Sequence, residues 1–292
     1  MNREPTSKTY QSQRLRLHYL DWGNEGAPPL VLIHGTRDHA HNWDWVAREL
    51  CDEFHVLAVD LRGHGDSDWT NSGAYALDEF VFDLSQLVKE RDLAPLSLIG
   101  HSLGGIIVLR YAGILPENVS KLVAIEGMGR PPPHVPRSQP GSTHDKYRNW
   151  LGKMHDLVDT PYKNQPSLEA AIQRMQEANS HLSPERVRHL TEHGVKQNED
   201  GTYRWKFDHY IYARMNTPKG VDLEVSREMW SNITCPTLLV RGLDSWTSDP
   251  KEVGETEYFQ NARVVNVENA GHWVHHDQLD EFLNVTKPFL TD

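Results

Sequence analysis

Leu96-Ser97-Leu98-Ile99-Gly100-His101-Ser102-Leu103-Gly104 begins as an apolar run and ends at the start of a helical pattern that continues to Ala112. The order predicts a strand, a sharp turn with Ser102 at its apex, and a helix. Glycines on both sides of the serine suit that geometry, because strand and helix can close on one another only where no Cβ intervenes. A serine presented in this way stands clear of its own backbone at a helix start. Its hydroxyl is a poor nucleophile unless a base removes the proton during attack. The rest of the chain is therefore read for a base, an acid to orient it, and donors for a developing oxyanion.

Outward from this stretch, strand-like runs occur at Arg14–Asp21, Leu30–Ile33, His55–Asp60, Lys121–Ile125, Pro236–Arg241 and Arg263–Val267. Helical patterns separate most of them. Leu77, Phe80, Val81, Leu84, Leu87 and Val88 share one face at helical spacing and predict a helix over Leu77–Arg91. Leu279, Phe282, Leu283 and Phe289 predict a C-terminal helix. Such alternation implies an α/β fold with a mostly parallel sheet covered on both faces.

The alternation stops after residue 129. Pro131-Pro132-Pro133 reads as a stiff exit from the core. Helices are expected over Ser167–Ala178 and from Ser183-Pro184-Glu185 to Gly194, the latter with an N-cap serine and a first-turn proline. Asp200-Gly201 reads as a turn before the alternating Tyr203, Trp205 and Phe207. The sheet pattern resumes at Cys235-Pro236. We therefore expect a core built from residues 1–129 and 233–292, with a mainly helical insertion at 130–232 over one edge of the sheet. Most of the insertion's large apolar residues, Met175, Trp205, Phe207 and Tyr210 among them, are expected to pack the insertion itself.

Composition narrows the classes of function. The chain has 292 residues, of which 38% are hydrophobic, and nine tryptophans, enough for a large core. A net charge of −11 argues against nucleic acid or an acidic membrane surface as partner. Only two cysteines occur, Cys51 and Cys235, which read as buried thiols and not as a disulfide framework. The segment Met1 to Gln13 is polar, and no stretch approaches the length of a membrane span. A soluble, cytoplasmic protein acting on a small molecule is expected.

The base is expected at His272, in Asn269-Ala270-Gly271-His272-Trp273, which follows the last strand and precedes the C-terminal helix. Two backbone N–H groups are needed for an oxyanion. Leu103, directly after the serine, supplies one. Thr36, in His34-Gly35-Thr36 beyond the strand Leu30–Ile33, supplies the other, with His34 and Gly35 shaping the turn and Arg37 solvated. His275 and His276 lie close to the base, but no carboxylate or cysteine stands at metal-ligand spacing. They are read as surface residues, and neither metal nor cofactor is expected.

Together these pieces resemble the α/β-hydrolases. The resemblance rests on His34-Gly35-Thr36, Trp43, Asp60-Leu61-Arg62-Gly63-His64-Gly65-Asp66-Ser67, the Ser102 turn and Gly271-His272, and spans residues 14–129 and 236–290. It implies an α/β-hydrolase core, a cap domain at the insertion, and a structural role for the loop Asp60–Ser67. It also implies a catalytic acid, for which two positions stand open. The family's usual place is the loop after Pro236–Arg241, where this chain has Ser245 with Asp244 beside it. Asp249 lies further on, in Asp249-Pro250-Lys251-Glu252, which reads as a helix cap. The other place is Glu126, at the end of Lys121–Ile125, where haloalkane dehalogenases and zearalenone-type lactone hydrolases carry their acid. Dehalogenases and epoxide hydrolases of this fold attack with an aspartate, so Ser102 points instead to acyl transfer. The resemblance implies hydrolysis of a carboxylic ester or lactone of a small, largely apolar molecule. Hydrolysis of a carbon–carbon bond beside a ketone, and a non-turnover small-molecule receptor, are its alternatives.

Overall fold

The computed structural model describes residues 3–73, 75–128, 142–211 and 222–292. The Pro131–Pro133 exit and the expected boundary at 129–130 lie outside the described residues. An eight-stranded sheet runs from edge to edge as β1 (Thr6–Ser12), β2 (Leu15–Asp21), β4 (His55–Val59), β3 (Pro29–Ile33), β5 (Leu96–His101), β6 (Val119–Ile125), β9 (Thr237–Gly242) and β10 (Ala262–Val267). Pairing is parallel from β4 to β10, while β2 runs antiparallel to both β1 and β4. Every strand read from the sequence is present.

β1 is the addition. It carries few apolar residues, and only Tyr10 and Ser12 are buried. Its anchorage is polar: the Tyr10 hydroxyl donates to Asp83 O at 3.2 Å and the Ser12 hydroxyl to Asp83 Oδ1 at 2.5 Å. Edge strands tolerate such composition, because one face and one edge remain wet.

Alternation along the inner strands divides the core between the two faces of the sheet. Val31, Ile33, Leu57 and Val59 face α2 (Leu77–Glu90) and α3 (Leu103–Ile114), meeting Phe80, Leu84 and Ile107. Leu30, Leu32, Val56 and Ala58 face α1 (Asp44–Leu50) and the C-terminal helix, meeting Trp43, Val46 and Phe282. Each fully buried phenylalanine or leucine here stabilises the fold by about 1.5–3 kcal/mol.

The insertion contains α4 (Thr143–Asp159), α5 (Leu168–Ala178), α6 (Pro184–Gly194) and a hairpin of β7 (Val195–Gln197) and β8 (Tyr203–Trp205). Ser183 caps α6 through its side chain, as its position suggested, and Ser167 does the same for α5. Leu182, Val187 and Leu190 form a small apolar cluster with Ile172 and Met175, and it extends to Trp45 and Trp273 of the core. Trp205 stacks on Phe207, while Phe207 and Tyr210 pack against the main core.

Helix α7 (Leu223–Ser231), which a limit at 232 assigned to the insertion, packs on α3 of the core: a Cβ on Gly113 would overlap Met229 O, and Trp230 is buried among core residues. Two short helices close the chain, α8 (Val274–Asp277) and α9 (Leu279–Thr291). Among the described residues, no helix is long and apolar enough to cross a membrane.

Candidate active site

Ser102 sits between β5 and α3 with φ 53° and ψ −112°, a backbone conformation that a side chain makes costly. The surroundings hold it there. Its N–H donates to Ile125 O at 2.8 Å, and its carbonyl accepts the first helical bond, from Ile106 N–H at 3.1 Å. A Cβ on Gly100 would overlap Gly104 O, and one on Gly104 would overlap Ile33 O. The turn therefore needs both glycines for the close approach inferred from the sequence.

The loop after β3 presses on the serine from the side. A Cβ on Gly35 would lie 3.2 Å from Ser102 Cβ and 2.9 Å from His101 Nδ1. Thr36 follows directly, half-buried, and Leu103 N–H lies at the unpaired start of α3. His34 is fixed at both ring nitrogens: Nδ1–H donates to Gly35 O at 2.7 Å, and Nε2 accepts from Leu61 N–H at 3.1 Å. Burial lowers its pKa, so it stays a neutral, structural imidazole.

Beneath this loop the segment Asp60–Ser67 folds around one carboxylate. Asp60 accepts from Ala40 N–H at 2.7 Å, Asp66 N–H at 2.9 Å and His18 Nδ1–H at 2.6 Å. Burial alone would raise its pKa, but the hydrogen bond and charge of His18 more than offset that and hold it well below the usual range. Gly65, at φ 53°, packs so tightly on Asp60 that a Cβ would overlap the carboxylate.

His272 and Glu126 come together. His272 Nδ1 lies 3.3 Å from Glu126 Oε2. The Glu126 carboxylate is buried and otherwise fully engaged: Gly242 N–H donates to Oε1 at 2.9 Å, and the Ser245 and Thr247 hydroxyls donate to Oε2 at 2.7 and 2.5 Å. Its backbone, at φ 53°, is anchored by its N–H to Val240 O at 2.9 Å. Asp244 is exposed, and its N–H is spent on Ala270 O at 2.9 Å. Asp249 does cap, but a turn and not a helix: its Oδ1 accepts from Lys251 N–H at 2.8 Å, and a short 3-10 segment follows at Glu255–Tyr258.

Four contributors escaped the sequence reading. His101 is buried, and its Nε2–H donates to the His272 carbonyl at 2.8 Å, tying the base's loop to the residue before the serine. Thr247 and the Gly242 N–H bind the Glu126 carboxylate. Trp246, 53% exposed, places its ring 5.2 Å from the His272 ring and forms an apolar wall. A Ser-Trp-Thr string offers no signal for these roles until β9 is known to end beside β6.

The reading of His275 and His276 as surface residues is corrected. Helix α8 turns both inward. His275 stacks on Trp43 at 4.5 Å between ring centroids and donates from Nε2 to Asn42 Oδ1 at 2.6 Å; His276 is equally buried. Burial drives both well below the ordinary histidine pKa. A polar pair behind an apolar Trp-Val is easily mistaken for a wet helix start.

A sequence profile described as the alpha/beta hydrolase family matches residues 30–285. Esterase Rv0045c of Mycobacterium tuberculosis is 25% identical over 293 residues, covering 98% of this chain and 90% of that protein. Mouse epoxide hydrolase 4 is 36% identical, but over only 112 residues, which cover 38% of this chain and 31% of its own length. Among solved structures, the thioesterase domain from the curacin biosynthetic pathway superposes with a TM-score of 0.83 at 24% identity, covering 99% of this chain and all of that domain (100%). With its sheet order, its serine turn and its family match in agreement, this chain belongs to the alpha/beta hydrolase family.

Proposed function

We propose that the protein is a serine hydrolase that cleaves a carboxylic ester or lactone of a small, largely apolar molecule through an acyl-enzyme. The observation that carries this reading is the 3.3 Å approach of Glu126 Oε2 to His272 Nδ1. A carboxylate accepting the Nδ1 proton leaves the lone pair on Nε2, the nitrogen that must take a proton from serine. Ser102 attacks the carbonyl carbon as His272 takes its proton. The carbonyl oxygen becomes an oxyanion held by the Thr36 and Leu103 N–H groups. Collapse expels the alcohol, which leaves with the proton from His272. Water, deprotonated by the same imidazole, then releases the acid and restores Ser102.

Chemistry disfavours an epoxide substrate despite the local likeness to epoxide hydrolase 4. Attack by a serine on an epoxide carbon would leave an alkyl ether, which this machinery has no means to cleave. An acyl ester on the same oxygen is readily hydrolysed. Trp246 beside His272 supports an apolar group on the substrate. Labelling with a fluorophosphonate, followed by a panel of esters and lactones, tests the reading. Wild type should label and turn over, and Ser102→Ala should do neither, with kcat reduced on the order of 10⁴–10⁶. Labelling of Ser102→Ala at the wild-type rate would overturn it.

A further inference from the structure

Away from Ser102, three imidazoles converge on one buried carboxylate where the insertion meets the core. His41 and Asp44 come from the core, in the short 3-10 turn Ala40–Trp43 and the first residue of α1. His189 and His193 come from the last turns of α6, four residues apart and thus on one face. His41 Nδ1 and His189 Nε2 each lie 2.9 Å from the same oxygen, Asp44 Oδ2. His193 stacks on His41 with ring centroids 3.6 Å apart. One ligand atom from each of the four residues can be chosen so that all lie within 4.8 Å of one another.

The second Asp44 oxygen is the independent sign. Oδ1 is buried without a hydrogen-bond partner, in a side chain only 3% exposed. An unpaired carboxylate oxygen in such a place costs free energy unless something meets it. A divalent cation would meet that oxygen and take a lone pair from each of the three imidazoles at once.

We propose that His41, Asp44, His189 and His193 form a closed four-ligand site for zinc, or a similar late first-row divalent ion, that clamps the insertion to the core. Imidazole and carboxylate donors suit zinc, whereas calcium and magnesium prefer all-oxygen shells. Ligand bonds of about 2.0–2.1 Å in a tetrahedron place donor atoms roughly 3.3 Å apart, so modest side-chain rotations close the set. Four protein ligands leave no open position, which makes the ion a structural clamp and not a reaction centre. The helix that carries His189 and His193 is already tied to the core there: His39 Nε2–H donates to Leu190 O at 2.9 Å, and the Trp45 ring lies edge-on to His189 at 4.7 Å. The site shares no residue with the Ser102 machinery or with the His275 and His276 pair.

Zinc sulfate titrated into EDTA-stripped, full-length protein tests this by calorimetry and by thermal unfolding. Wild type should bind one equivalent with a Kd below about 1 μM, and its Tm should rise by about 5 °C at saturating zinc. Cobalt should give the intense visible bands of a tetrahedral ion. His193→Gln, on the insertion, and His41→Gln, on the core, should each weaken binding at least tenfold and remove the Tm shift. Circular dichroism would show that both stay folded, and either one alone suffices for the comparison. Ser102→Ala and His272→Ala should bind as wild type does. Binding unchanged in both glutamine variants, binding lost with His272→Ala, or no binding below about 100 μM would each overturn the proposal.

Discussion

The imidazole of His101 donates to the backbone carbonyl of His272 across 2.8 Å, so the residue preceding the serine holds the loop that carries His272. His101 is thereby a positioning residue. Replacing it with leucine should drop kcat about 10–100-fold, the usual cost of displacing a catalytic group by an ångström, with KM nearly unchanged. Glutamine, whose amide reaches a similar point, should restore most of the rate. Equal losses in both variants, or a loss confined to KM, would remove the positioning role.

Glu126→Gln should reduce kcat on the order of 10²–10⁴, because an amide can present its NH₂ to Nδ1 and favour the wrong tautomer. Asp244→Asn should cost less than about tenfold, in keeping with its exposed place on the loop. The two variants measured on one ester decide between the carboxylates. Reversal of their order would return the acid to Asp244.

Ser102→Gly should be inactive yet more stable than Ser102→Ala, by about 1 kcal/mol, since only glycine adopts φ 53° and ψ −112° without steric cost. In a chain of this size that is about 2–3 °C in Tm. Equal melting temperatures would mean that the turn carries no such strain.

Gly35→Ala should fold and lose activity about 10–100-fold. The new methyl would crowd Ser102 Cβ at 3.2 Å and His101 Nδ1 at 2.9 Å, and relief means moving the oxyanion loop or the serine. Steady-state kinetics on the purified variant checks it; wild-type kcat would show that the loop yields without consequence.

Stability should fall as pH rises toward 8, and Asp38 should be a principal cause. Burial pushes this carboxyl up to about 8, against hydrogen bonds from His39 N–H and the Asn42 amide. The unfolded chain releases the same proton near the ordinary value of about 4. Between those values the folded state binds the extra proton, so each rise in pH favours unfolding, by at most about 1.4 kcal/mol per unit. Above the folded value the loss is complete. Urea unfolding at pH 6 and 8.5 should show wild type losing on the order of 2 kcal/mol and Asp38→Asn less than half of that. Parallel losses in both would clear Asp38.

Much of this architecture was legible because the decisive signals are local. A strand, a glycine-bounded serine and a helix read correctly from neighbouring residues, as did α5 and α6 of the insertion, whereas α4 was not read. β1 was not legible, since its burial depends on Asp83 reaching it from α2. The same holds for α7, whose Trp230 has meaning only once Gly113 lies opposite. At the site, Ser102 and His272 lie where loops follow strands, a positional logic that needs no contacts, whereas the place of Glu126 came from the family resemblance with Asp244 left open beside it. Thr247, His101 and the buried pair His275 and His276 depend on which strands become neighbours, and spacing along the chain does not carry that.

The hydrogen bond from Ser102 N–H to Ile125 O joins the serine turn to the residue before Glu126, across two neighbouring strand ends. Ser102, Glu126, Thr36 and Leu103 all belong to the stretch before the insertion, and His272 to the stretch after it. On the proposed mechanism, the insertion divides the machinery into a half with the nucleophile, acid and oxyanion donors and a half with the base and the groups that hold the acid's carboxylate. A chain cut within the insertion would yield two pieces, each chemically silent. Activity would return only when the two halves found each other, which makes this fold a natural two-part reporter of its own assembly.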